Sequence, residues 1–164
     1  MNRFGYLLVG ACATSATTAQ EGPAEPNPLV GSWRLERYVD TPEGAAPFFA
    51  FGENPVGLFV FTADGYASFH LMRNPSAAEP AGSDPDPNAC VPIWYCSYFG
   101  TYTYDAAGES WITHVLGGNV PSYIGTDQPR SFRIDGDRLI ISYGYEADGR
   151  TVRGERVLIR QRPR

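Results

Sequence analysis

Short runs of alternating apolar and polar residues recur along this chain, separated by turns carrying glycine or by polar loops. No stretch sustains the 3.6-residue spacing of an amphipathic helix. A period of two confines the chain to an all-β fold. In the first run Trp33, Leu35, Arg37 and Val39 alternate with Arg34, Glu36 and Tyr38. VGLFVF (56–61) meets YASFHLMR (66–73) across Thr62-Ala63-Asp64-Gly65, a hairpin turn with glycine at its end. CSYFGTYTYD (96–105) meets SWITHVL (110–116) across Ala106-Ala107-Gly108-Glu109. RSFRI (130–134) meets RLIISYGY (138–145) across Asp135-Gly136-Asp137, and TVRGERVLIRQ (151–161) follows Ala147-Asp148-Gly149-Arg150. Eight such strands predict an eight-stranded antiparallel up-and-down barrel, because closure removes every exposed edge. An interior of that size is nearly filled by side chains or holds one small ligand. Two connections are long: 74–95, rich in Pro, Ala, Asp and Ser, and 117–129, rich in turn residues. Loops of this length often carry function.

The barrel occupies 29–162 of the 164 residues, and what precedes it has a different character. Arg3, the apolar run Phe4–Ala13 and the small residues Thr17-Thr18-Ala19 have the grammar of a secretory signal over 1–19, too short to span a bilayer. Residues 20–28 are a polar, proline-rich tether. Within the signal, Val9-Gly10-Ala11-Cys12 resembles a bacterial lipobox, which makes Cys12 a lipidation candidate. The expected product is an exported bacterial protein, either soluble in the periplasm or lipid-anchored to the envelope. In that oxidising compartment Cys90 and Cys96 of CVPIWYC are expected to pair, closing a short loop worth on the order of 2 kcal/mol.

The net charge of −5 and the absence of a basic stripe argue against nucleic acid as a partner. All 13 basic residues are arginine, a usage expected of a high-GC bacterial genome. Apolar residues are 43% of the chain, with 10 Tyr, 9 Phe and 3 Trp among them, which is ample for a core.

The pair Gly31-x-Trp33 at the head of the first strand resembles the signature of the lipocalin and calycin group. The likeness extends to the bacterial lipocalin-like domain family through Leu29–Leu35, Phe51–Gly57, Thr62–Tyr66, Leu71-Met72-Arg73, Gly100-Thr101-Tyr102, His114, Gly125-Thr126-Asp127-Gln128-x-Arg130 and Gly136-Asp137-Arg138-Leu139. The resemblance implies a lipocalin-like barrel and no particular reaction. It implies that Trp33 plugs one barrel end under a stacked arginine from the last strand, either Arg156 or Arg160. Gly31 would let the entering backbone pass close to the ring. The Pro- and Asp-rich insert with Cys90 and Cys96 departs from the family pattern.

The chain has no GxSxG, no HExxH, no phosphate-binding glycine loop and no lysine for a Schiff base. DPDPN (84–88) is not a calcium loop: Ala89 stands where glycine is needed and Tyr95 where the bidentate glutamate is needed. No cofactor or metal is expected. What remains is a polar group expected at one rim, where His114, Asp127, Gln128 and Arg130 flank the second long loop. Arg130 suits an anion or carboxylate, and Asp127 could orient His114 as an acid or base. Tyr66, His70 and Tyr102 are further ligand-binding candidates, on strand faces whose direction the sequence does not choose. The first expectation is a monomeric barrel binding a small hydrophobic or amphipathic molecule. The alternatives are an isomerase or cyclase built on His114 and Asp127, and an envelope protein with a filled barrel.

Overall fold

The computed structural model describes residues 26–74, 95–105, 107 and 109–162. The expected signal at 1–19, Cys12, most of the expected tether at 20–28 and Cys90 lie outside the described residues. Eight strands form one closed barrel in sequence order: β1 (Gly31–Pro42), β2 (Val56–Phe61), β3 (Tyr66–Met72), β4 (Tyr95–Asp105), β5 (Ser110–Gly118), β6 (Asp127–Asp135), β7 (Arg138–Ala147) and β8 (Arg150–Gln161). Every neighbouring pair is antiparallel, and β1 closes on β8 through Trp33↔Arg160 and Tyr38↔Arg156. The expected up-and-down barrel is therefore the observed one.

The two ends differ. At one end the hairpins β2–β3, β4–β5 and β6–β7 are tight; Gly65 (φ +90°) and Gly136 (φ +59°) supply the left-handed residues these turns require. The connections 43–55 and 119–126 lie at the other end, where β3 also finishes and β4 begins. The tight end is plugged. Trp33 is fully buried, donates its Nε1–H to the Leu29 carbonyl at 2.8 Å and lies 4.0 Å beneath the Arg160 guanidinium. Arg160 also donates to the carbonyls of Val30 (3.1 Å) and Pro28 (2.6 Å), tying the incoming chain across the barrel floor. Arg160 is thus the stacking arginine, and Arg156 has a different task. Gly31 is needed for its backbone rather than for a close approach: φ is +127°, while an added Cβ would sit 3.6 Å from the nearest atom, ordinary contact distance.

Above the plug the interior is apolar and aromatic. Phe61 packs edge-to-face on Phe69, Tyr102 and Trp111 with centroids 5.2–5.5 Å apart. Leu35, Leu139, Ile141 and Leu158 fill the remaining space.

Two elements depart from the sequence expectation. In β1 a bulge between Leu35 and Arg37 shifts the alternation by one. Arg37 turns out toward Glu155 (3.2 Å), and Tyr38 and Asp40 take the polar inner contacts. At β6 the strand begins at Asp127, and β5 continues to Gly118, so the long loop shrinks to 119–126 around a 3₁₀ turn, Pro121–Tyr123. Asp127 and Pro129 are weak strand formers, which hid the start of β6. The strand exists because the β5 register carries them, pairing His114↔Asp127 and Ile112↔Pro129.

Candidate functional site

Inward side chains fill the plugged half and leave a cavity of about 70 Å³ toward the other end. Its base is Phe59, Trp111 and Ile141; its upper wall carries Tyr38, Tyr98, Tyr123 and Tyr143, with Leu71, Cys96, Arg130 and Arg156 between them. About 10–15 Å³ of such space holds one water, so this volume takes a few waters or a very small molecule. A wider hollow of about 530 Å³ opens at the same barrel end between Asp40, Phe48, Tyr145 and Val152.

The two arginines differ in commitment. Arg156 is buried and donates to Asp40 Oδ1 (2.9 Å), to the Val39 carbonyl (2.8 Å) and to the Tyr143 hydroxyl. Its guanidinium also lies 3.1 Å from the Tyr38 ring centroid. Charge and donors are spent on the wall. Arg130 is half-buried and bonds only neutral groups: the Pro129 carbonyl (2.7 Å), Gln128 Oε1 (3.4 Å) and the Tyr98 side chain, beside the Tyr143 ring at 4.8 Å. Among the described residues its guanidinium meets no carboxylate.

The other polar groups are neutral donors. Burial pushes the Tyr98 hydroxyl up to about 12, against the pull of Arg130. Burial likewise raises Tyr143 and Tyr38, with Arg156 opposing in both. The Cys96 thiol is raised by burial and lowered less by Arg130 and Arg156. At neutral pH these groups therefore keep their protons, and the cavity presents donors and one unbalanced positive charge.

The rim cluster expected from the sequence does not assemble. His114 and Asp127 pair on the outer surface, Nδ1 to Oδ1 at 2.9 Å, with both side chains more than half exposed. Arg130 is on the opposite face with Gln128, because side chains alternate along β6 and Arg130 stands an odd three positions after Asp127. His114 has its carboxylate orienter but lines none of the hollows described above. Tyr66 and His70 also point outward, since Ala67, Phe69 and Leu71 take the inner face of β3. His70 is fixed there by Ser68 (2.9 Å), Tyr95 (2.6 Å) and Ser97 (3.1 Å), a network joining β3 to β4. Tyr102 does face inward but belongs to the plug: its hydroxyl donates to the Thr62 carbonyl (3.0 Å) and accepts from Asn27 (3.0 Å). Cys96 lines the cavity as a free thiol, and its expected partner Cys90 lies outside the described residues. No three potential metal ligands gather among the described residues. Tyr38, Asp40, Tyr98, Tyr123 and Tyr143 were not among the expected site residues: alternation puts Tyr98 and Tyr143 each on one strand face without saying which, Tyr123 lies on a 3₁₀ turn, and the β1 bulge that turns Tyr38 and Asp40 inward has no local sequence signal.

A closed antiparallel barrel, plugged at one end and holding a lined cavity at the other, defines a barrel of the small-ligand-binding kind. The chain belongs to the lipocalin-like domain family, whose model matches residues 30–162. No curated protein and no solved structure matches it significantly.

Proposed function

We propose that this protein is an exported binding barrel that takes a small, mostly apolar molecule through the end opposite Trp33. The observation that carries this reading is the position of the cavity. The plugged half is packed solid, while the half beneath the long connections keeps open space between aromatic walls. Pockets that enclose organic ligands are commonly 300–1,000 Å³, so a ligand larger than a few heavy atoms must displace the mouth. Tyr123, on the 119–126 connection, is the wall residue best placed to move.

Trp111 lines the cavity and Trp33 does not, which makes tryptophan emission a local reporter. Small aromatic probes are expected to quench wild-type emission and to leave a Trp111→Phe variant, which reports through the other tryptophans, nearly unchanged. Native mass spectrometry of protein purified from its own envelope fraction should retain a small molecule. A bare protein that also shows no quenching with any small probe would replace this reading with that of a filled structural barrel.

A further inference from the structure

We infer that the ligand is a monoanion with an apolar body, a carboxylate or a similar planar anion, and that Arg130 receives its charge. This rests on the binding reading above and specifies the class of molecule.

The charges of the interior carry the inference. Arg156 faces Asp40 at 2.9 Å in a fully buried pair, which is internally neutral. Arg130 stands on the neighbouring wall with no carboxylate partner among the described residues and with bonds only to neutral acceptors. A cation left half-buried against aromatic rings loses hydration without recovering it from a counter-ion. An incoming anion supplies that partner, and the flat guanidinium offers a carboxylate two parallel donors. The hydroxyls around it are protonated donors, so they strengthen the preference for an acceptor. The apolar part of the wall is Phe59, Trp111 and Ile141, with the Trp111 indole N–H already donated to Thr113. Head and body are therefore recognised by different parts of the wall, the anion by Arg130 and the apolar part by Phe59, Trp111 and Ile141. A dianion would leave one charge unmatched, since Arg156 is already occupied.

The test compares benzoate with benzamide, nearly equal in shape and different in charge, using the full chain and titration calorimetry or NMR line shifts. Toluene serves as the purely apolar probe. Benzoate is expected to bind at least about tenfold more tightly than benzamide, the scale of one charge-assisted hydrogen bond. Arg130→Gln should bring benzoate down to the level of benzamide, and Arg130→Lys should restore part of the difference. Arg133→Gln removes the same charge from the outer face of β6 and should leave the ratio unchanged. Equal binding of benzoate and benzamide, or benzoate binding that survives Arg130→Gln, overturns the anion assignment. If toluene still binds in that case, the apolar cavity reading stands without it. If no probe binds, the binding reading fails and this inference fails with it.

Discussion

Replacing Trp33 by alanine would leave a void at the barrel floor and orphan the Leu29 carbonyl that its indole reaches. The expected loss is about 3–5 kcal/mol, read as a lower urea midpoint at unchanged slope. Asp40→Ala would strand the buried Arg156 charge and should cost a similar amount, about 3–5 kcal/mol, although it touches no hydrophobic contact. His114→Ala, by contrast, breaks only an exposed pair. It should change stability by less than about 1 kcal/mol and leave probe binding untouched. At this scale Trp33 was legible from the sequence, because Gly31-x-Trp33, weak alone, is followed in order by the family's other motifs, from Phe51–Gly57 to Gly136-Asp137-Arg138-Leu139. The stacking arginine was not. Arg156 and Arg160 share one face of β8, and only the pairing Trp33↔Arg160 separates them. The supposed grouping of His114 with Arg130 failed for a related reason: nearness along a strand says nothing about the side of the sheet until its parity is counted.

Strand parity is a property of elements, and here two irregularities govern it. The β1 bulge turns a run that reads Trp33, Leu35, Arg37, Val39 into one that delivers Tyr38 and Asp40 to the inner polar contacts. Nothing in the local composition signals the extra residue; it is imposed by closing β1 against β8. The second irregularity lies between Phe99 and Gly100 on β4, where a Cβ at position 100 would fall 1.9 Å from the His114 carbonyl oxygen. That atom is backbone and cannot yield, so Gly100→Ala should open the β4–β5 ladder, visible as faster amide hydrogen exchange in both strands. Gly154→Ala presents a softer collision. Its Cβ would meet the Tyr143 ring at 2.7 Å, and that ring can swing into the cavity. We expect a loss of about 1–3 kcal/mol together with weaker probe binding, because the displaced ring takes up ligand space.

Across the whole molecule the fold was the most legible part. Seven of the eight strand runs coincide closely with observed strands, because alternation and glycine turns are local signals that tertiary structure did not override. Only the start of β6 was hidden, behind residues that the neighbouring register holds in place. The cavity was not legible, because it depends on which inward side chains leave space after closure. Its chemistry yields a global pH dependence. Tyr98 ionises near 10.0 when unfolded and near 12 when folded. A raised pKa contributes stability that is fully present below pH 10 and is lost as pH climbs through 12, on the order of 2–3 kcal/mol. Tyr38 and Tyr143 act in the same direction. Urea midpoints measured from pH 9 to 12 should fall, and Tyr98→Phe should flatten part of that fall. The pairing of β1 with β8 has one more consequence. Both strands carry their outer ends to the plug, so residues 26–30 and 161–162 leave the barrel on the side away from the cavity. The cavity mouth therefore stays clear of the described ends of the chain.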